Sequence, residues 1–539
     1  MLTTTEKQEF RQELFRHLDG IAVAPVAYTL FKNGITNYLF SNKEVSISEL
    51  TTFFKANEGY LTIALRILAA QGWVDYNINN NDIIIKTNNF SKLAFDHFYL
   101  YEDIVNLLEY SGKFHPRKFE LEPFHKLEQL FKNYQNRFNL PPTSDPITTK
   151  IQDQIIKHIE GVLVGPTTVH LGMGGMFHKY FMEASFSPDE YHKFPESFDT
   201  ILTFLSYLGW FSKSNGNYTF TNKGLFFAKR ASAYGVTVSY IPMFRQMKDL
   251  ILGNPNVLWE TQSDTETHVD REMNVWGSGG AHASYFKKID EIIISLFNKP
   301  LEQQPKGILD MGCGNGAFLI HLFDVIASKT LRGKHLDDYP LFLVGADYNK
   351  AALKVTRANL IQADIWAKVI WGDISDPDLL QQDLKEKYAI ELKELLSVRT
   401  FLDHNRIWSK PISKLNTPSL STGAFAYRGK RLQNNDVERN LKDHFIKWES
   451  HIAKFGLIVI ELHTISPELT AKNLGKTAAT AYDATHGFSD QYILEIDSFL
   501  KVIEEVGLHS DPNYFSKFPN SDLATVSINY IIGINNREK

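Results

Sequence analysis

The chain has 539 residues, of which 43% are apolar and 22% charged, and its formal net charge is −5. This composition is typical of a globular protein of about three or four domains, and it excludes a chain built mainly to coat nucleic acid, which would need a basic excess. The one cysteine, Cys313, excludes an intrachain disulfide, argues against a cysteine-rich zinc site and fits a reducing compartment. Because charges interrupt the N-terminus early and no apolar stretch is long enough to span a bilayer, we predict a soluble, cytoplasmic protein with no membrane partner.

The first half of the chain contains an internal repeat. The segment His17–Pro25 matches His158–Pro166, and further along the pair Gly72–Trp73 matches Gly209–Trp210. In both copies the Gly-Trp pair follows a helical pattern and precedes a short stretch with alternating apolar residues. Two helices, a Gly-Trp pair and a two-stranded wing are typical of a winged-helix module.

The charge of these modules bears on whether they read DNA. The second helix of the first repeat, Glu58–Gly72, holds one basic residue, Arg66, and the matching helix of the second repeat holds none. A helix that reads DNA presents several basic or amide side chains. We therefore predict no nucleic-acid partner and expect the helical region to serve as a substrate lid or as the surface through which a homodimer forms.

A glycine-rich turn begins the second half. A short apolar strand ends at Asp310, the glycines Gly312, Gly314 and Gly316 follow, and an amphipathic helix begins directly after them. A strand-to-helix turn built of glycines lets a ligand touch the backbone, because any Cβ there would block the approach. A purely structural tight turn is the alternative.

The next two strands also end in acids, Asp347 and Asp373. An acid at this position is the natural partner of ribose hydroxyls. The spacing GxGxG after Asp310 differs from the dinucleotide pattern GxGxxG, and an acid beside the turn repels phosphate but suits a sulfonium. The pattern resembles motif I of class I S-adenosylmethionine methyltransferases, which implies a Rossmann-like, mostly parallel α/β sheet. The predicted cofactor-binding residues are Asp310, Gly312, Gly314, Gly316, Asp347, Asp373, Trp276 and Gly277.

Trp276 and Gly277 belong to the glycine-rich stretch 269–286, which precedes the turn. We expect this stretch to close over cofactor or substrate, and an interdomain linker is the alternative.

Polar residues that could carry chemistry follow the fourth and fifth strands and also lie within the segment 481–492. We predict this segment to be a loop, and we predict a flexible loop at 423–429. An oxygen nucleophile needs only a base such as histidine, whereas a carbon nucleophile needs an enolate, which a chelated metal would stabilise. A site of histidine, carboxylate and amide oxygen suits Fe(II) or Mn(II), and hydrogen-bonded loop residues or a base without metal are the alternatives. The candidate catalytic residues are His463, His486, Asp403 and His404. In the segment 481–492, the side chains of His486, Asp490 and Gln491 could all face one pocket.

Six stretches together carry a closer resemblance: NVWGSGGAH, ILDMGCGNG, SVRTFLDHNR, GAFAYRGKRL, ELHTI and YDATHGFSDQY. They resemble the methyltransferase domains of apratoxin-type polyketide synthase loading modules and are similar to stand-alone 2-ketoarginine methyltransferases. The resemblance implies an S-adenosylmethionine-dependent C-methyltransferase of polyketide-like secondary metabolism. It further implies one iron or manganese ion that binds a malonyl-type substrate on an acyl carrier protein. Its metal ligands would be His463 and Gln491, with His486 or Asp403 as a third.

We divide the chain into a winged-helix-like repeat (residues 1–110), a helical connector (111–150), a second repeat or lid (151–265) and a methyltransferase domain (266–539). The acceptor is expected to be a small molecule or a group on a separate carrier protein. Two rival functions stay open at this stage. One is a metal-independent O-methyltransferase with a histidine base, and the other is a DNA-binding regulator that senses S-adenosylmethionine.

Overall fold

The structure, a computed structural model, describes residues 2–79, 82–109, 121–181, 183–260 and 266–533. The chain forms two compact units. The N-terminal unit comprises Met1–Ala281, Ala426–Arg431 and Ser466–Asp490, and the C-terminal unit comprises His282–Phe425, Leu432–Ile465 and Gln491–Lys539. Within the described ranges, no helix combines the length and the apolar character that crossing a bilayer requires.

Twenty-two α-helices and fifteen strands occur in the described ranges. The helices are α1 (Thr4–Lys32), α2 (Ile35–Asn42), α3 (Ile47–Phe54), α4 (Glu58–Ala70), α5 (Ser91–His97), α6 (Glu102–Leu108), α7 (Leu121–Gln135), α8 (Pro146–Met173), α9 (Met176–Tyr180), α10 (Pro195–Tyr207), α11 (Asn222–Ala228), α12 (Ser232–Ser239), α13 (Ile241–Phe244), α14 (Met247–Leu252), α15 (Arg271–Phe297), α16 (Ala317–Lys329), α17 (Lys350–Gln362), α18 (Pro377–Tyr388), α19 (Asn434–Ile452), α20 (Pro467–Lys472), α21 (Ala479–Gly487) and α22 (Ile496–Glu505). The strands are β1 (Glu44–Ser46), β2 (Val74–Asn79), β3 (Asp82–Thr87), β4 (Phe211–Ser214), β5 (Asn217–Phe220), β6 (Gly307–Met311), β7 (Phe342–Asp347), β8 (Lys368–Trp371), β9 (Leu395–Thr400), β10 (Phe425–Tyr427), β11 (Lys430–Leu432), β12 (Leu457–Leu462), β13 (Leu508–Ser510), β14 (Ser516–Phe518) and β15 (Val526–Gly533).

The two copies of the repeat pack on each other in the core of the N-terminal unit. Helices α1 and α8 cross where each contributes a glycine. A Cβ on Gly20 would lie 2.2 Å from the carbonyl oxygen of His158, and a Cβ on Gly161 would lie 2.3 Å from that of His17. At this crossing His17 hydrogen-bonds the Tyr234 hydroxyl and His158 hydrogen-bonds the Tyr101 hydroxyl. The contact between the two repeats is therefore part of the core of this unit.

Each repeat ends in a β wing, as predicted. In the first, β2 and β3 form an antiparallel pair to which β1 adds a third strand, which the sequence analysis did not predict. In the second, β4 pairs with β5. Both tryptophans of the Gly-Trp pairs, Trp73 and Trp210, are fully buried and anchor the wings.

The C-terminal unit contains an eight-stranded sheet in the order β13-β15-β12-β9-β6-β7-β8, with β14 paired to β15. Strands β12, β9, β6, β7 and β8 are parallel, and β15 is antiparallel to β12. This confirms the predicted mostly parallel α/β sheet. The parallel strands bring the carboxyl ends of β6, β7, β9 and β12 to one edge, where open α/β sheets bind ligands.

Three segments differ from the predicted secondary structure. The segment 481–492, predicted as a loop, begins with α21, because its many alanines favour helix and Gly487 ends it. The predicted flexible loop 423–429 is the hairpin β10–β11, whose turn residues Arg428 and Gly429 both have positive φ. The glycine-rich stretch before the turn is mostly helical, as part of α15, rather than an extended linker.

Candidate active site

The glycine turn follows β6 directly and ends where α16 begins. Gly312, Gly314 and Gly316 all have positive φ, a conformation that favours glycine. A Cβ on Gly312 would lie 2.9 Å from a methyl carbon of Leu402, so a side chain here would have to displace that leucine as well as adopt a strained φ. A Cβ on Gly314 would meet no atom of the described residues within 4 Å, so this part of the turn is open to a ligand.

Asp347 fixes the turn from the neighbouring strand. Its Oδ2 accepts a hydrogen bond of 3.0 Å from the backbone N–H of Gly314, and its Oδ1 accepts one of 2.8 Å from the N–H of Asn349. The carboxylate reaches the turn because β6 and β7 are paired in parallel. It therefore lies where the sequence analysis expected the partner of a ribose.

Asp310 lies beneath the turn as a buried acid. Its Oδ2 has no hydrogen-bond partner among the described residues, and the side chain is 1% exposed. Burial, with the nearby charge of Asp347 adding to it, raises the pKa of Asp310 to about 8. A cationic ligand would favour ionisation of this acid, whereas a pyrophosphate would oppose it.

Two exposed aromatic residues lie beyond Asp347. The rings of Tyr348 and Trp371 are 5.5 Å apart, and the Trp371 indole donates a hydrogen bond of 3.1 Å to the Tyr348 carbonyl. Asp373 accepts two hydrogen bonds from Ser375, through the backbone N–H at 2.8 Å and the hydroxyl at 2.6 Å. Exposed rings beside an acid suit a flat purine next to its ribose. With the open turn and the unpartnered buried acid, these residues fit S-adenosylmethionine.

A histidine–glutamate pair lies at the carboxyl ends of β9 and β12. Nδ1 of His404 lies 2.5 Å from Oε1 of Glu461, and the same oxygen accepts a 2.7 Å hydrogen bond from the N–H of Leu462. The backbone N–H of His404 also donates to Oε2 of Glu461, at 3.2 Å. When Nδ1–H donates to this carboxylate, the neutral ring carries its proton on Nδ1 rather than on Nε2. This is the tautomer that a general base requires.

A small cavity of about 10 Å³ adjoins this pair. A cavity of this size holds about one water molecule. Its lining includes Asp403, His404, Arg406, Glu461, His463 and Tyr492. The chemistry-bearing side chains that follow β9 and β12 therefore share one space within the C-terminal unit.

Asp403 is the counter-ion of a buried arginine. Its Oδ1 accepts hydrogen bonds from Arg399 at 2.6 Å and from His444 at 2.9 Å. Burial alone would raise the pKa of Asp403, but the charge of Arg399 and the hydrogen bond from His444 outweigh burial and hold this pKa below its usual range. The Arg399 guanidinium also lies over the ring of Trp448, 3.9 Å from its centroid. These contacts give Asp403 a positioning role rather than that of a base.

His463 is the first of the predicted metal ligands, and its contacts do not fit a metal. Nδ1 donates to the carbonyl of Leu494 at 3.0 Å, so Nε2 carries the lone pair and accepts from the Ser527 hydroxyl at 2.7 Å. The Ser527 hydroxyl itself accepts from the Asn529 amide at 2.7 Å. A metal bound to Nε2 at about 2.1 Å would need the position that the hydroxyl holds. Burial lowers the pKa of His463 to about 4, so the ring is neutral.

The remaining predicted residues are divided between the units. Gln491 is buried in the C-terminal unit. His486 belongs to the N-terminal unit, where Nδ1 donates to the Tyr482 carbonyl at 2.9 Å. Trp276 and Gly277 also lie in the N-terminal unit and pack against other helices there. The Trp276 ring would be 3.0 Å from a Cβ on Gly172. These are packing contacts, and a cofactor role for either residue stays a prediction.

The one group of three His, Cys, Asp or Glu residues in the described ranges that could hold a metal consists of Glu13, His17 and Glu160. The sequence analysis did not predict this group. Lys157 binds both carboxylate oxygens of Glu160, at 2.9 Å and 2.7 Å. An ammonium group therefore already supplies the positive charge there.

The candidate catalytic residues predicted from the sequence did not include Glu461. His404 and Glu461 are 57 residues apart, and no local pattern links them. The pairing of β9 with β12 is what brings them together.

Three family models match the chain. One for the AprA MT2-like domain matches residues 266–529, one for the AprA winged helix domain matches residues 160–254, and one for the AprA N-terminal domain matches residues 10–76. In this order, the three matches cover the region with the glycine turn, the second repeat and the first repeat. No curated protein matches the chain.

Several solved structures are similar to the chain at low identity. The O-methyltransferase NcsB1 from neocarzinostatin biosynthesis, in complex with S-adenosylmethionine and 2-hydroxy-5-methyl naphthoic acid, is 12% identical, with a TM-score of 0.36, over 68% of this chain and 94% of that one. The mitomycin 7-O-methyltransferase MmcR is 11% identical, with a TM-score of 0.40, over 71% and 99%. The CurJ carbon methyltransferase is 13% identical, with a TM-score of 0.30, over 76% and 99%. Likeness at this level carries no argument about activity.

Proposed function

Because the chain belongs to the AprA-type family of S-adenosylmethionine-dependent methyltransferases, we propose that it methylates an acidic carbon, with His404 as the general base. The proposed acceptor is a malonyl-type thioester or a 2-oxo acid in polyketide-like secondary metabolism. The observation that carries this proposal is the hydrogen bond between His404 and Glu461 beside the small cavity.

The proposed chemistry needs one proton transfer and one methyl transfer. Nε2 of His404 takes a proton from the carbon next to the acceptor's carbonyl, and the electron pair of the C–H bond moves into an enolate. Glu461 stabilises the imidazolium that forms and keeps the ring oriented. The acceptor carbon then attacks the methyl group in line, and the C–S bond electrons remain on sulfur. A positioned base of this kind contributes roughly 10²–10⁴-fold to the rate.

S-adenosylmethionine, when bound, supplies an electrophilic methyl group. In this chain the backbone of the turn near Gly314 would contact the cofactor directly. Asp347 would bind its ribose, and Tyr348 would lie against its purine. Asp310 would balance its positive charge from below. Each of these roles rests on the open turn and on the buried acid that has no hydrogen-bond partner among the described residues.

The proposal routes no step through a metal. The contacts of His463 with Leu494 and Ser527 occupy both of its ring nitrogens. Oδ1 of Asp403 accepts from Arg399, and its Oδ2 has no hydrogen-bond partner among the described residues. In the proposed mechanism the base alone forms the enolate.

The test compares His404→Asn with the unaltered enzyme. Titration calorimetry measures S-adenosylmethionine binding, and isotope-labelled methyl transfer is measured with malonyl-coenzyme A, a 2-oxo acid and a malonyl carrier protein as separate acceptors. We expect binding to be unchanged and transfer to fall by about 10²-fold or more. The matched control is His321→Asn, since His321 also pairs with a carboxylate, that of Asp290 at 2.7 Å, on another helix of the same unit. Equal activity of the His404 variant and the control would refute the base assignment.

A second candidate is O-methylation of a hydroxyl. The same His404–Glu461 pair, without a metal, is sufficient to deprotonate an O–H group. A phenolic acceptor that is methylated faster than every carbon acid tested would favour this function.

A further inference from the structure

Arg428 presents an unusual cation in the N-terminal unit. It occupies the turn of the β10–β11 hairpin, and its guanidinium lies 3.7 Å from the ring centroid of Trp259. Its side chain is 32% exposed. Among the described residues none accepts a hydrogen bond from this guanidinium, and its Nη1 is buried. Within the described ranges, this fork of five N–H donors therefore has no hydrogen-bond acceptor.

The hairpin that carries Arg428 is firmly fixed. Oδ2 of Asp490 accepts a 3.0 Å hydrogen bond from the backbone N–H of Arg428, and Oδ1 accepts one of 2.8 Å from the Tyr60 hydroxyl. A Cβ on Gly429 would lie 2.5 Å from Pro255, so the turn packs closely on its neighbours. The Asp490 carboxylate forms an ion pair with the guanidinium at 3.6 Å, a distance that is too long for a hydrogen bond.

A second polar group without a partner lies on the same tryptophan. The ring of His268 is 5.0 Å from that of Trp259, and the side chain is 6% exposed. Its Nδ1 has no hydrogen-bond partner among the described residues. Burial lowers the pKa of His268 to about 4; the negative charge of Glu266 opposes this shift, and the positive charges of Arg271 and Arg428 add to it. The ring is therefore neutral and can donate one hydrogen bond.

We infer that Arg428, Trp259 and His268 form a binding site for a small carboxylate ligand. The guanidinium fork matches a carboxylate with two parallel hydrogen bonds, and stacking on the indole holds the fork in place before the ligand arrives. The nearby Asp490 carboxylate makes a single negative charge a better ligand than a phosphate dianion. The inference rests on the proposed function for the identity of the ligand, since malonyl-type and 2-oxo acids both carry a free carboxylate.

The test measures binding of small anions to the full chain by titration calorimetry. The probes are malonate, pyruvate, the neutral dimethyl ester of malonate and inorganic phosphate. We expect malonate and pyruvate to bind, and the neutral ester and phosphate to bind at least tenfold more weakly. We expect Arg428→Gln to weaken malonate binding at least tenfold and Arg428→Lys to weaken it less, because lysine keeps the charge and loses the fork.

The matched control is Arg245→Gln, because Arg245 is 34% exposed in the same unit and already pairs with Glu109. Affinity for S-adenosylmethionine reports that each variant is folded, and Arg428→Lys serves if Arg428→Gln does not fold. Unchanged malonate binding in the Arg428 variants, an equal loss in the control, or tighter binding of phosphate would each overturn the inference. Malonate binding that depends on Arg428 in an enzyme that transfers no methyl group would leave this site standing and refute the proposed function instead.

Discussion

The imidazole Nδ1 of His404 lies 2.5 Å from Oε1 of Glu461, across the parallel strands β9 and β12. The glutamate also receives the backbone N–H groups of His404 and Leu462, so its carboxylate has a fixed orientation. A base held in this way loses little entropy when it takes a proton. The pairing of β9 with β12 thus sets the geometry of the proposed base.

Changing Glu461 to Gln should show whether this residue stabilises the protonated His404 or binds the acceptor. The amide can still hydrogen-bond the ring, but it cannot stabilise the imidazolium, so we expect kcat to fall roughly tenfold or more. Affinity for S-adenosylmethionine should stay the same. Steady-state kinetics and calorimetry check this, with Glu449→Gln on α19 as the control. A rise in KM alone would show that Glu461 binds the acceptor instead.

Asp347→Asn should weaken S-adenosylmethionine binding by about tenfold or more, because a neutral amide accepts ribose hydrogen bonds less strongly than a carboxylate. Asp383→Asn is a matched control, since Asp383 pairs with Lys387 on the surface of the same unit. Calorimetry measures both. An affinity unchanged by Asp347→Asn would contradict the assigned ribose partner.

Binding of S-adenosylmethionine should release a proton from Asp310. Its pKa in the free protein is about 8, so the acid is protonated near neutral pH, and a cationic ligand lowers this pKa. Calorimetry at about pH 7 in buffers of different ionisation enthalpy should show release of up to about one proton, and none in Asp310→Asn. An equal release in the variant would contradict the prediction.

The same group affects stability with pH. Because the folded-state pKa of Asp310 is raised, the folded protein holds a proton that the unfolded chain loses, and stability falls as pH rises from about 4 to 8. Asp310→Asn should make the dependence of Tm on pH shallower in this window. Asp19 in the other unit has a pKa raised by burial to about 8 and contributes a similar slope, so only part should disappear. A slope unchanged by the variant would show that Asp310 ionises normally.

Gly20→Ala should destabilise the N-terminal unit by about 1–3 kcal/mol, because its methyl group would overlap the His158 carbonyl. Gly279→Ala is the control, since Gly279 lies in a helix and a Cβ there would meet no atom within 4 Å among the residues that the structure describes. That change should stabilise the protein by up to about 1 kcal/mol. Urea unfolding measures both, and equal effects would contradict the close crossing of α1 and α8.

A chelator should leave activity intact, because the ring nitrogens of His463 are engaged by Leu494 and Ser527. Elemental analysis of the purified enzyme should find less than one equivalent of iron or manganese. Loss of activity on chelation, restored by either metal, would show that Ser527 moves aside and that the metal-dependent mechanism is correct.

Local sequence patterns were sufficient to predict the glycine turn and the acids at the strand ends. Asp310 and Asp347 lie where the strand–turn–helix pattern placed them, since a short strand followed by glycines has few ways to fold. The role of Glu461 could not be predicted, because it depends on which strands become neighbours. Likewise, the sequence indicated a flexible loop at Arg428, where paired positive φ values make a tight hairpin. Nor does any local signal show that 466–490 belongs to the N-terminal unit.

The most direct test follows the methyl group itself. S-adenosylmethionine carrying a ¹³C-methyl group is incubated with the enzyme and a malonyl thioester or a 2-oxo acid, and NMR of the product identifies the atom that received the label. The account predicts a new bond from the labelled methyl to carbon, lost in His404→Asn. A label found on oxygen, or no transfer by an enzyme that binds both ligands, would contradict it.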